Sequence, residues 1–307
     1  MQKIAIIGSG NVGSQAALFL IMGGASDILL LDTVNGLAKG KAMDLEDCAA
    51  VLKRDCSVEG SDDFSLLAGR QIVVITAGLA RKPGMTRDDL LSRNSEIIKD
   101  VSLKIKKHCV NPIVIVVTNP VDIMAHLVSK ITGYDTKMVF GMGISLDAAR
   151  FANLIRYKLS APVAKIDPVV LGSHGQTMAP SPHLTLVCGN PLDKSLDSQA
   201  VAKLTQETVE RGASIVAHLG QGSAFFAPGA AIAGIVQAIV NDEKKVIGVC
   251  AYCNGEYGIN GLYIGVPAKI GKGGVEKIVE LELSADEKAA FLKSAESIRG
   301  QISGLKV

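Results

Sequence analysis

No charge of either sign dominates this 307-residue chain: 32 lysines and arginines face 30 aspartates and glutamates, for a formal net charge of +2. A polynucleotide binder concentrates basic charge, so nucleic acid is not an expected partner. An uninterrupted apolar run is also missing. The longest stretch without Asp, Glu, Lys or Arg, residues 212–241, is broken by His218, Gly220, Gln221, Gly222, Pro228 and Gly229. It reads as two core helices joined by a turn, and no membrane partner is expected. Met1-Gln2-Lys3 leads directly into an apolar strand with no charged leader or apolar signal core, so a cytoplasmic location is expected.

Cysteine is present without a framework. The six, at positions 48, 56, 109, 188, 250 and 253, include one close pair, Cys250-Ala251-Tyr252-Cys253. A four-cysteine zinc site would need a second pair, and the flanks read as a strand, so reduced core thiols are expected. His108, His126, His183 and His218 fall in helical or hairpin patterns that suit surface or structural histidines. No metal is expected.

What the chain does have is apolar content, 48%, enough for a large core and about two domains of roughly 150 residues. Up to residue 141, short β-rich runs at 3–7, 28–31, 57–59, 72–76, 113–117 and 138–140 alternate with helical patterns. The first, fourth and fifth are nearly continuous Ile, Val and Ala, as strands covered on both faces require. The expectation is an α/β fold: a doubly wound parallel sheet of six strands over residues 1–141, then an α+β domain over 142–307. The second domain should contain a helix at 146–159, paired short strands around 166–171 and 184–188, and strands near 246–252 and 262–269. A last helix near 285–302 should be capped by Ser284 with Glu287 as its capping-box partner.

Gly8-Ser9-Gly10-Asn11-Val12-Gly13 lies between the first strand and a helix over 12–21. In that context the glycines permit a tight turn and close backbone approach to a pyrophosphate at the helix N-terminus, the Rossmann arrangement. Asp32 ends the second strand nineteen residues beyond Gly13, close to the roughly twenty expected of the ribose-binding acid. Its charge would repel a 2′-phosphate, and Thr33-Val34-Asn35 supplies no arginine, so the expected cofactor is NAD.

After the strand at 72–76, the segment Ala80-Arg81-Lys82-Pro83-Gly84-Met85-Thr86-Arg87 places two arginines six residues apart on a Pro-Gly loop. Guanidinium groups pair with carboxylates through charge-assisted hydrogen bonds, so the substrate should carry more than one anionic or polarised oxygen. Asp147 and Arg150 share one face of the helix at 146–159.

Together with Thr76-Ala77-Gly78, Thr118-Asn119-Pro120-Val121-Asp122, Leu146 to Phe151, Leu171-Gly172-Ser173-His174-Gly175 and Gly255-Glu256-Tyr257-Gly258, these motifs make the whole chain resemble the L-lactate/L-malate dehydrogenases. Within that family the lactate-dehydrogenase-like malate dehydrogenases are the better match. Transfer of hydride at a 2-hydroxy acid also moves a proton at the oxygen, and His174, after a glycine-flanked strand end, is the candidate acid/base.

The resemblance implies the remaining roles. Asp147 orients His174 and raises its pKa, while Arg150 pairs with the substrate's 1-carboxylate. Asn119 binds the substrate carbonyl and approaches the cofactor, Arg87 polarises that carbonyl, and Arg81 takes the distal 4-carboxylate where lactate dehydrogenases carry glutamine. Ala224 walls the substrate pocket. The cofactor meets Gly8, Gly10, Asn11, Val12, Gly13, Asp32, Thr76, Ala77, Gly78, Asn94, Val117 and Asn119.

The implied activity is reversible NAD-dependent conversion of L-malate to oxaloacetate, a tricarboxylic acid cycle reaction, by a homotetramer or homodimer. L-lactate or another 2-hydroxy acid is the alternative substrate, and an NAD-binding sensor without turnover is the alternative class. One departure is Gln176, where the family usually has aspartate two residues after the histidine; the missing charge is expected either to lower the histidine's pKa or to alter domain contacts.

Overall fold

The computed structural model describes residues 2–79 and 87–305, the side chains of Arg87 and Asp88 excepted. Arg81 therefore lies outside the described residues. The first half runs β1 (Ile4–Ile7), α1 (Asn11–Met22), β2 (Asp27–Leu31), α2 (Leu37–Val51), β3 (Ser57–Ser61), β4 (Ile72–Ile75), α3 (Arg87–His108), β5 (Ile113–Val116), α4 (Val121–Thr132) and β6 (Val139–Gly141). All its strands pair in parallel, in the order β3-β2-β1-β4-β5-β6. Every residue of β1, β4 and β5 is buried, because helices cover both faces of the sheet.

The second half opens with α5 (Ile144–Leu159), followed by five two-residue strands: β7 (Ile166–Asp167), β8 (Val170–Leu171), β9 (Ala179–Pro180), β10 (Leu186–Val187) and β11 (Asn190–Pro191). Then come α6 (Leu192–Ser195), α7 (Ser198–Leu219), α8 (Phe226–Val240), β12 (Lys245–Asn254), β13 (Asn260–Gly271), β14 (Gly274–Ile278) and α9 (Ala285–Ser303). The run expected at 166–171 is split: β7 pairs with β10 and β8 with β9, both antiparallel. Ser284 and Glu287 form the expected capping box.

The sheet does not end at β6. Cys250 of β12 pairs antiparallel with Gly141, and β13 and β14 continue outward, giving nine strands in one sheet. Of the two expected core helices, α8 is one: Ile232, Ala233, Ile235, Val236, Ala238 and Ile239 are buried. It lies close on α1, where a Cβ on Gly229 would come within 2.8 Å of Gln15 Cβ and 2.9 Å of the Ala16 nitrogen. The other expectation is corrected. Along α7 only Leu204 and Thr208 are buried, while Val216 and Leu219 are exposed, because α7 packs against α5 on one side and nothing among the described residues covers its far turns. No helix among the described residues is long and apolar enough to cross a membrane.

Arg87 also departs from expectation, since its backbone is the first residue of α3 rather than part of the preceding loop.

Candidate active site

At the carboxyl end of β1 the chain turns at Gly8, whose φ of 103° favours glycine. A Cβ there would fall 2.5 Å from the Ala77 nitrogen, and one on Gly13 would fall 2.0 Å from the Gly8 oxygen. Both glycines are thus needed for α1 to begin directly against β1 and β4. Gly10 differs, since a Cβ there meets nothing within 4 Å; this open side is where a ligand can approach.

The helix N-terminus behind Gly10 has no side-chain cap and no acid in its first turn, so its first N–H groups point at that space unsatisfied and favour an anion. Asp32 is held above the same turn, Oδ2 accepting from the Ser9 N–H at 2.7 Å and Oδ1 from the Val34 N–H at 3.0 Å. Each oxygen keeps a second lone pair for a ribose hydroxyl. The donor set fits the pyrophosphate and diol of NAD.

The opposite wall is built on β4 and β5. The Thr76 hydroxyl donates to the Gly8 oxygen at 2.8 Å, and Thr118 Oγ1 donates to the Ala77 oxygen at 2.6 Å. Asn94, 1% exposed, is held within the protein: its Oδ1 accepts from Leu79 N–H at 2.8 Å, and its Nδ2 donates to the oxygens of Asn119 (2.8 Å) and Leu79 (3.3 Å). Asn94 thus braces the two loops that follow β4 and β5, at the edge of the cradle. Asn119 itself is exposed, at the carboxyl edge of β5.

β8 leads into Gly172, which is bridged to Gly265 of β13, and delivers His174. Its Nδ1 lies 2.6 Å from Asp147 Oδ2, and Arg150 Nη1 donates to Asp147 Oδ1 at 3.1 Å. The Asp147 side chain is 0% exposed, that of His174 15% and that of Arg150 13%. This is no surface i,i+3 pair. Burial alone would push the His174 pKa down, but the charge and hydrogen bond of Asp147 together outweigh it, so the pKa is raised; Arg150 opposes this and Asp122 assists. Space for the Arg150 guanidinium is left by Gly212 on α7, where a Cβ would sit 3.3 Å from Nη1.

Two supports of His174 were not recognised from the sequence. Asp122, in the first turn of α4 and 3% exposed, accepts the His174 backbone N–H on Oδ2 at 3.1 Å. Burial raises its pKa to about 6, moderated by Cys250 and His174. Ser294 of α9 accepts the Ser173 N–H at 2.7 Å, and Thr177 Oγ1 lies 2.7 Å from Ser173 Oγ. The available clue to Asp122 was an acid inside an otherwise apolar helical run. Ser294 gave none.

The structure thus gathers His174, Asp147 and Arg150 in one array and Gly8 to Gly13, Asp32, Thr76, Ala77 and Gly78 in one cradle. Ala224 lies in the segment between α7 and α8, half-buried. Gln176 is exposed at the turn that follows His174.

Comparison with known proteins places both halves. The lactate/malate dehydrogenase NAD-binding domain matches residues 2–141, and the lactate/malate dehydrogenase alpha/beta C-terminal domain matches residues 144–306. A malate dehydrogenase of Methanosarcina acetivorans is 44% identical over 307 residues, all of both chains. The apo structure of the malate dehydrogenase from Picrophilus torridus superposes with a TM-score of 0.95 at 40% identity, covering 98% of this chain and 96% of that one. The lactate dehydrogenase from Cryptosporidium parvum, complexed with lactic acid and nicotinamide adenine dinucleotide, reaches 0.95 at 32% identity, covering 98% and 97%. A glycine cradle closed by an acid and a buried histidine–aspartate pair beside it, found in a chain matched from end to end, make this protein a member of the lactate/malate dehydrogenase family.

Proposed function

We propose that the chain is an NAD-dependent malate dehydrogenase of the cytoplasm, interconverting L-malate and oxaloacetate, with residues 1–141 holding the dinucleotide and 142–307 supplying the acid/base. The observation that carries this reading is the buried array of His174, Asp147 and Arg150. A protein that only senses dinucleotide has no use for a histidine whose tautomer is fixed by a carboxylate with no solvent exposure.

The bound cofactor supplies reversible two-electron chemistry at carbon 2 of the hydroxy acid. The chain does the rest. Asp147 holds the proton on His174 Nδ1, leaving Nε2 to take the hydroxyl proton during oxidation and return it to the carbonyl during reduction. Arg150, neighbour to Asp147, offers its remaining N–H groups to the 1-carboxylate. The role that the family resemblance gives Arg87 is to stabilise the developing charge on the carbonyl oxygen, with Asn119 donating to the same oxygen and Ala224 leaving room at the pocket wall.

Arg81 decides between substrates by pairing with the 4-carboxylate. A desolvated charge left unpaired costs on the order of 2–5 kcal/mol, or roughly 30-fold to several-thousand-fold in selectivity. Pyruvate, with a methyl group in that place, leaves it unpaired. The test is the initial rate of NADH oxidation with oxaloacetate and with pyruvate, for the native chain and Arg81→Gln; with no tryptophan in the chain, NADH fluorescence can be read alongside without protein indole emission. The native chain should prefer oxaloacetate and the variant should lose that preference. A native preference for pyruvate would overturn the assignment.

A homo-oligomer is part of the same proposal. Met43, Val51 and Leu52 on or beside α2, and Val216, Leu219 and Phe226 on α7 and α8, are exposed apolar side chains, Phe226 at 63%. Apolar surface of this kind suits a second copy of the chain.

A further inference from the structure

His174 is held at two points, its ring by Asp147 and its backbone by a residue from the other half of the chain. The second hold is Asp122 Oδ2, 52 residues away in sequence, which accepts the His174 N–H at 3.1 Å. Asp122 is fixed at the start of α4, directly after Asn119 and Pro120, so one turn carries both the amide beside the substrate carbonyl and the carboxylate beneath the histidine. Its other oxygen, Oδ1, is buried and meets no nitrogen or oxygen donor among the described residues. The thiol of Cys250, at the β6–β12 seam, is its neighbour there.

A buried carboxylate is costly unless it is used. A backbone N–H as the sole nitrogen donor is a weak reason to retain a group that burial pushes toward neutrality. A structural substitute such as asparagine would accept the same hydrogen bond at lower cost, so the charge itself has a use.

We propose that Asp122 is a positioning residue for proton transfer: it fixes the His174 backbone relative to the dinucleotide half and adds a second negative charge behind the imidazole. The charged groups that face His174 among the described residues are Asp147 and Arg150 from α5 and Asp122 from α4, with the Cys250 thiol of β12 behind Asp122. Of these, Asp147 and Asp122 favour the imidazolium and Arg150 opposes it. The inference rests on the proposed malate dehydrogenase reading.

The experiment compares Asp122→Ala and Asp122→Asn with the unmodified chain, measuring kcat and kcat/KM for oxaloacetate against pH and the NADH dissociation constant by cofactor fluorescence. Asp122→Ala removes the acceptor and should lower kcat roughly 10- to 100-fold, the scale of a small misplacement of a reacting group. Asp122→Asn keeps an acceptor and should recover most of kcat while its alkaline limb moves to lower pH, by less than the roughly 1–3 units that a directly paired charge imposes, since Asp122 is the smallest of the charges acting on the ring. NADH affinity should be unchanged in both, since the cradle around Gly8 and Asp32 is built on other elements. That result would also show that both variants are folded.

A kcat for Asp122→Ala within about threefold of the parent, or an Asn variant with an unmoved alkaline limb, would overturn this inference alone. An unmodified chain without turnover would overturn the proposed function, and this inference with it.

Discussion

At the residue scale the decisive quantity is the protonation of His174. Its pKa is raised because the Asp147 charge and hydrogen bond exceed the cost of burial, so the imidazolium persists to higher pH than for a free histidine. With His174 as the proposed acid/base, oxaloacetate reduction would need the imidazolium and should fall as pH rises through this raised value, while malate oxidation would need the neutral ring and should fall as pH drops below it. Asp147→Asn takes away charge and tautomer control together, and should cost on the order of 10²- to 10⁴-fold in kcat with the alkaline limb of reduction displaced to lower pH. A pH–rate profile in both directions checks the sign. Gln176→Asp runs the other way: a carboxylate at this exposed turn should move the reduction limb upward, and an identical profile would remove Gln176 from any account of the site's electrostatics.

Among the elements, the α1–α8 contact does most to join the cofactor-binding half to the rest of the chain. Gly229 allows it. Gly229→Ala should push the helices apart and lower stability by about 1–3 kcal/mol, the range for overpacking against rigid neighbours, since one obstacle is the backbone nitrogen of Ala16. Thermal unfolding would show this as a lower midpoint, and because α1 also presents the N–H groups of the cradle, NADH affinity should weaken with it. A variant of unchanged midpoint would mean that the helices accommodate the methyl group.

Elements that are buried on both faces were legible in the sequence. β1, β4 and β5 read as apolar runs because nothing polar is tolerated on either side of them, and the Gly8–Gly13 motif was legible because its spacing is itself the turn. Less of the second half could be read. β14, Gly-Val-Glu-Lys-Ile, mixes buried, half-buried and exposed positions and carries no clean alternation. The contacts of Asp122 and Ser294 with the His174 loop span 52 and 121 residues, and no local pattern encodes a partner at that distance. The exposed turns of α7 misled for a related reason, since lack of charge marks burial only where another element arrives to cover it.

At the scale of the whole molecule, the uncovered apolar side chains of α2, α7 and α8 carry a prediction about assembly. Sedimentation velocity should give a mass at least twice the 32.1 kDa of the chain, and Phe226→Glu, which places a charge on that surface, should shift the distribution toward the monomer. A native chain that sediments as a monomer across micromolar concentrations would remove the oligomer from the proposal. The seam between β6 and β12 has a different implication. Because the nine strands form a single sheet, the chain has no natural cut point: a fragment ending at residue 141 would uncover the outer edge of β6, which Cys250 of β12 meets at Gly141, and an open edge is one that other fragments can extend. Tandem fusions, split reporters or shuffled halves of this enzyme should therefore aggregate unless β12 to β14 travel with the nucleotide-binding half, even though chain order assigns those strands to the other.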